Sequence, residues 1–197
     1  MSRLVQQLRF LLEIDQLKEI RRQNYTILGR RQETDAEHAW HVTMMAVLLA
    51  EHANSPIDLL RVVKMLLIHD LVEIDAGDTF AYDTAGAATQ HEREARAADR
   101  IFPLLPADQA TEYRALWDEF EVRTTAEAKY AHAMDRVLPI FLNAATEGAA
   151  WQKHGVTADR VLERNRHAAE GCAALWAEAE REIARAVAAG NLAPAKQ

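Results

Sequence analysis

Apolar positions recur every three or four residues along nearly the whole chain, and no stretch alternates as a half-buried strand should. Leu4, Leu8, Leu11, Leu12, Ile14 and Leu17 mark an amphipathic helix over residues 2–21. The basic run RQNYTILGRRQE at 22–33 interrupts the period and is expected to be a loop. Thr34 with Glu37 three residues on is a capping-box signature and opens a helix over 35–53. Ser55-Pro56 reads as a cap followed by a first-turn proline. The helix it starts carries Leu59, Leu60, Val63, Leu66 and Leu67 and should reach about Ile74, with Gly77 in its terminal region. Residues 76–88 form the longest irregular stretch and the natural place for an active-site loop.

Further helices are predicted over 89–103 and 107–121, separated by Pro103 and Pro106. Leu116, Trp117 and Phe120 on the second suit a core face, with a dimer surface as the other use. Thr124 and Glu127 resemble a second capping box, opening a helix to about Glu147 with a kink at Pro139. Gly148 and Gly155 bracket a short connection. Thr157 then caps a final helix or helix pair to Ala189, broken near Gly171. Residues 190–197 read as a frayed tail beyond a domain at 1–189.

Composition fits an all-α, single-domain helical bundle: 197 residues, 49% hydrophobic and 27% charged, with only seven Gly and five Pro. A formal net charge of −7 argues against binding a nucleic-acid polymer, but leaves room for a local cluster of cations around a small phosphorylated substrate. Cys172 is the single cysteine, so no internal disulfide forms and a reducing, cytoplasmic setting is expected. The charged N-terminus is unlike a signal peptide, and no apolar run spans a bilayer, so no membrane partner is expected.

One stretch breaks the pattern. IHDLVEIDAGD, residues 68–78, follows the apolar Leu66-Leu67 with a histidine, three aspartates and a glutamate. Carboxylates are costly to desolvate unless they are paired, hydrogen-bonded or on a metal. On a helix, His69, Asp70 and Glu73 share one face. Acids at a helix C-terminus also oppose the macrodipole, which favours a bound cation. His38 or His41, in the first turn of a capped helix, and Asp135, in an otherwise apolar helix, can supply further ligands. Each has a plainer reading: a core histidine with a hydrogen bond, or an Asp135 paired with Arg136 or Arg160.

Taken together, RQETDAEHAWHV, IHDLVEIDAGD and LWDEFEVRTTAEAKYAHAMDR resemble the HD-domain metal-dependent phosphohydrolases, and are similar to the 5′-deoxynucleotidase-like members. The likeness runs over about residues 10–150. It implies an HD-type helical fold with one divalent metal ion (Mn, Co, Fe, Zn or Mg) held by His38, His69, Asp70 and Asp135. It gives Glu73 and Asp78 the places of two catalytic carboxylates, Glu73 for the attacking water and Asp78 for the leaving group, or the reverse. Arg22 falls near the family's substrate-binding arginine, although Gln23 stands where the nucleotidases have tryptophan. Arg31 matches a second family arginine, and by the resemblance Arg22 and Arg31 would bind the phosphate or sugar. The implied reaction is hydrolysis of a small phosphate monoester, a (deoxy)nucleoside 5′-monophosphate, by a homodimer. Two alternatives remain: an HD-fold di-iron oxygenase, needing further histidines such as His41, His91 and His132, or a non-catalytic regulator stabilised by its metal.

Overall fold

A helix that is apolar nearly all round has to run through the middle of its fold, and Ala126–Ala145 is such a helix. The computed structural model describes residues 1–82 and 84–195, without the side chains of 84, 85 and 87. Asp83, in the expected irregular stretch, and residues 196–197 of the expected tail lie outside the described residues. Elements run α1 (Arg3–Glu13), β1 (Arg21–Tyr25), β2 (Gln32–Thr34), α2 (Asp35–Leu48), α3 (Leu59–Ile68), α4 (Glu73–Ala76), α5 (Thr84–Ile101), α6 (Ala107–Val122), α7 (Ala126–Ala145), α8 (Ala149–Lys153), α9 (Ala158–Asn165) and α10 (Ala173–Ala188). The fold is all-α apart from the small β1–β2 sheet. Helix α7 packs against α2, α3, α6 and α10, and its buried face includes Tyr130, Met134, Val137, Leu138 and Ile140. Trp117 and Phe120 of α6, Val62 and Met65 of α3, and Trp176 of α10 join the same apolar cluster.

Several expectations need correction. The polar run after α1 is a hairpin rather than a loop: β1 and β2 pair antiparallel, with Arg21 opposite Thr34, Tyr25 opposite Gln32 and an irregularity between them. Its turn is closed by Thr26 N–H donating to the Arg31 carbonyl at 2.8 Å. An isolated two-stranded ribbon is marginal in water. This one is supported from outside, as Asn143 Nδ2 donates to Asn24 Oδ1 at 3.0 Å. Because the supporting contacts are tertiary and polar, no hydrophobic alternation announces the strands.

Helix ends also shift. The third helix begins at Leu59, capped by Asp58, whose Oδ1 accepts from Arg61 N–H at 3.2 Å, rather than at Ser55-Pro56. Helix α7 is capped by Thr125, not Thr124, and Glu127 accepts from the Asp58 N–H at 3.0 Å instead of closing a box. Helix α5 starts at Thr84, shortening the irregular stretch. Pro139 lies inside α7, which continues through it. The expected helix to Ile74 stops at Ile68, and residues 69–72 make a tight turn, with the Leu71 and Glu73 N–H groups donating to Ile68 and Asp70 carbonyls. The tail is docked at its start: Leu192 is 1% exposed, and Ala158 N–H donates to the Ala193 carbonyl at 2.9 Å.

His132 of α7 is buried, with its ring stacked on Phe120 at 4.0 Å and its Nε2–H donating to the Phe120 carbonyl at 2.8 Å. Burial, with Arg136 nearby, pushes its pKa down to about 3. The unfolded chain therefore binds this proton first, and stability is lost as pH falls below about 6.5 toward 3. The slope attributable to His132 should approach about 1.4 kcal/mol per pH unit. His132→Gln, which keeps a donor but cannot titrate, should flatten the fall in melting temperature between pH 6.5 and 4.5; equal slopes for both proteins, measured in chelator, would refute this.

Candidate metal centre and cavity

Four segments far apart in sequence meet at the turn after α3. The capping box at the start of α2 is present in both halves: Glu37 N–H donates to Thr34 Oγ1 at 3.3 Å, and Thr34 N–H to Glu37 Oε2 at 3.0 Å. This fixes the first turn of α2, from which His38 points into the core. His69 and Asp70 occupy the turn itself. Asp135 comes from the middle of α7, where the buried helix presents it to the other three. His38 Nε2 lies 3.0 Å and His69 Nε2 3.8 Å from Asp135 Oδ1. Asp70 Oδ2 lies 3.1 Å from His69 Nε2.

The donor set fits a divalent cation. His69 Nδ1–H donates to the Leu66 carbonyl at 2.9 Å, which fixes the tautomer and leaves the Nε2 lone pair facing Asp70 and Asp135. That Nε2 atom is buried and meets only the two carboxylates, without a well-aligned hydrogen bond to either. One atom each of His38, His69 and Asp135 lies within 4.8 Å of the others. The cluster also attracts positive charge. Burial opposes protonation of His69, yet Asp70 and Asp135 outweigh it and raise its pKa to about 10. Without thiolates the set suits first-row divalent ions or Mg²⁺.

Two residues that matter here were not singled out from sequence. Glu33 is 3% exposed, and its Oε2 lies 3.7 Å from His38 Nδ1, behind the centre. Asp35 is fully buried and accepts from Arg22 Nη1 at 3.0 Å. Both sit beside a helix start, where acids are ordinary dipole partners, so sequence position conceals them. Arg22, on β1, also donates to Asp70 Oδ2 at 2.8 Å, so its guanidinium bridges two carboxylates. Arg31 lies apart. It pairs with Glu37 at 2.8 Å and borders a surface depression beside Trp40, away from the cavity.

Glu73 and Asp78 join Asp35 in a second group, with one oxygen of each within 4.8 Å of the others. Gly77, at φ +73°, turns the chain after α4 in a conformation open to glycine and brings Asp78 back toward the cavity. Burial, with Asp70 and Asp35 adding repulsion, raises the Glu73 pKa well above its usual value. Burial likewise lifts Asp78 to about 6, against the pull of Arg22. The cavity, of about 160 Å³, exposes Arg22, His69, Asp70, Glu73, Asp78 and Asp135 on one side. Phe80, Tyr82, Trp151 and two arginines of α7 and α9 form other parts of its lining. Of the other histidines considered, His132 is bound to Phe120, His41 lies against Trp40 at 5.7 Å and His91 is exposed; among the described residues none joins the cluster.

This arrangement, buried histidines and carboxylates converging from separate helices, defines a helical protein with a candidate metal centre. The chain belongs to the HD domain family, whose model matches residues 14–176. It is similar to the 5′-deoxynucleotidase HDDC2 of Bos taurus, 31% identical over 131 residues, which is 66% of this chain and 62% of that protein. The Homo sapiens 5′-deoxynucleotidase HDDC2 is also 31% identical, over 130 residues, with the same coverage. The match thus spans about 62% of the length of these curated relatives. A crystal structure of a predicted metal-dependent phosphohydrolase from Magnetospirillum magnetotacticum MS-1 superposes with a TM-score of 0.94 and 50% identity, covering 98% of this chain and 97% of that one.

Arg22 is the cation nearest this group of acids, so removing it should be costly. Arg22→Gln leaves Asp35 and Asp70 facing each other, and a metal-free protein should lose about 3–5 kcal/mol of stability. Adding Asp35→Asn should restore part of it, because the two changes share one interaction. Chemical denaturation showing strictly additive losses would contradict this coupling.

Proposed function

We propose that this protein is a metal-dependent phosphohydrolase that cleaves a small phosphate monoester, a (deoxy)nucleoside 5′-monophosphate being the best fit. The observation that carries the reading is the convergence of buried His38, His69 and Asp135, with Asp70 against His69 Nε2 at 3.1 Å, beside two carboxylates of raised pKa. His38, His69, Asp70 and Asp135 would hold the ion, of which Mn, Co, Fe, Zn and Mg are all compatible with nitrogen and oxygen donors. When bound, a divalent ion supplies charge neutralisation for phosphate and acidifies water.

The chain's own residues divide the remaining work. Hydrolysis needs one proton taken from water and one given to the departing alkoxide. Glu73, desolvated and next to Asp35 and Asp70, holds its proton more tightly than an ordinary carboxyl; Asp78, lifted to about 6, has largely released its own at neutral pH. That order supports Glu73 as the donor to the leaving group and Asp78 as the acceptor, the second of the two assignments open from sequence. Arg22 holds Asp70 in place while partly offsetting the acidic wall. Phe80, Tyr82 and Trp151 line the cavity and suit a nucleoside base. The names of the HDDC2 proteins and of the Magnetospirillum structure are consistent with this activity.

The reading extends to a cytoplasmic homodimer, with no membrane or nucleic-acid polymer as partner. Support for the compartment is the lone, buried thiol of Cys172. No helix among the described residues is long and apolar enough to cross a membrane. Support for dimerisation is the face of α1 that shows Leu4, Leu8, Leu11 and Leu12 to solvent, with Leu12 76% exposed.

A screen of ribo- and deoxyribonucleoside monophosphates and other small phosphate esters, with metal added and then chelated, tests the function directly. Release of phosphate should require the metal and be lost in chelator. Asp70→Ala and Asp135→Ala should each abolish metal retention and hydrolysis together. Glu73→Ala should retain the metal while turnover falls by about 10²–10⁴-fold. Wild-type turnover in chelator, or full turnover by Glu73→Ala, would defeat the scheme.

A further inference from the structure

The cavity's charges are unequally satisfied. On the acidic side Arg22 is held by Asp35 and Asp70 at 3.0 and 2.8 Å, which leaves its charge largely spent on the protein itself. Arg31 is held by Glu37 and does not line the cavity. Two further guanidinium groups do line it: Arg136, which follows Asp135 on α7, and Arg164, near the end of α9. The Nε atoms of both are buried; that of Arg164 has no hydrogen-bond partner, and that of Arg136 is the atom that faces Asp135. Arg136 meets one carboxylate, Asp135, at 3.4 Å, and that group's other oxygen faces His38 and His69. Arg164 meets no carboxylate among the described residues.

What sets them apart is burial beside the cavity, since arginines paired elsewhere, such as Arg3 with Asp108, Arg100 with Glu13 and Arg114 with Asp118, lie nearer solvent. Two cations placed together at a partly desolvated wall, whose acidic neighbours are Asp135 and Glu121, the latter raised to about 7 and so only partly charged, leave a deficit that an anion from outside can fill. Burial, with Arg136 second, lowers the Arg164 pKa, the signature of a cation short of negative neighbours. Asn165, the next residue on α9, fixes this end of the helix by donating through Nδ2 to the Val161 carbonyl at 2.8 Å. A guanidinium presents paired donors that match phosphate oxygens, and two of them with the metal centre across the cavity could hold one phosphate from both sides.

We propose that Arg136 and Arg164 form the oxyanion-binding wall of this cavity and grip the substrate's phosphate group, a role that sequence likeness had placed on Arg22 and Arg31. This deepens the phosphohydrolase reading and rests on it for the identity of the ligand as a phosphate ester. Inorganic phosphate is the probe that separates the two ideas, because its binding is read without turnover.

Calorimetric titration of the full chain with phosphate, once in chelator and once loaded with Mn²⁺, should show binding in at least one state. Arg136→Gln and Arg164→Gln should each weaken it by about tenfold, equivalent to about 1.4 kcal/mol. Arg31→Gln should leave it unchanged. Arg164→Lys, which keeps the charge and loses the fork, should fall between wild type and the glutamine variant, and serves if glutamine impairs folding. Absence of wild-type binding in both states, or binding undiminished in the arginine variants, overturns the proposal. Phosphate binding that depends on both arginines, in a protein that hydrolyses no ester, would sustain this wall and reject the hydrolase.

Discussion

Desolvated carboxylates around the turn at His69 and Asp70 are the constraint on which the rest of the structure depends. Asp35, Asp70, Glu73 and Asp135 are all largely removed from water. Such groups persist only with compensating positive charge or a bound proton. The fold provides it in three forms: Arg22 bridging two of them, a raised proton affinity at Glu73, and a pair of imidazoles whose Nε2 atoms face the Asp135 carboxylate. Each compensation comes from a different element, so β1, α2, the turn after α3 and α7 have to be in place together.

That interdependence explains otherwise unremarkable features. The β1–β2 hairpin is short and polar, yet it delivers Arg22. The capping box of α2 sets the direction in which His38 leaves the backbone. The early end of α3 turns His69 so that its Nδ1–H meets the Leu66 carbonyl and its other nitrogen faces Asp135. The left-handed Gly77 returns Asp78 to the same side. A cavity results that is lined by acids, imidazoles and guanidinium groups together, with Arg22 and Arg136 against the carboxylates of the centre.

Much of this was legible in the residues. The helical period of apolar residues is clear in α3 and α10, which bury one face, whereas α7 buries nearly all of its surface and reads as one long, largely apolar run. His38, His69, Asp70 and Asp135 stood out because ionisable groups in apolar surroundings are costly and therefore conspicuous. The hairpin did not, because its stabilising partners, such as Asn143 against Asn24, lie over a hundred positions away. Thr124 and Thr125 are chemically equivalent caps, and only the geometry at α6's left-handed end at Arg123 selects the second. Glu33 and Asp35 were masked by a local explanation that was sufficient on its face.

By itself, then, the sequence determined a helical chain, the residue types that can hold a cation and the family to which their order points. Those properties are local or depend on chain order alone. Tertiary structure decided which charges cancel one another: Arg22 with Asp35 and Asp70, Arg31 with Glu37, Arg136 with Asp135, and Arg164 with no carboxylate among the described residues. Electrostatic pairing depends on distance and burial, and neither is written in a one-dimensional spacing when the partners come from different helices.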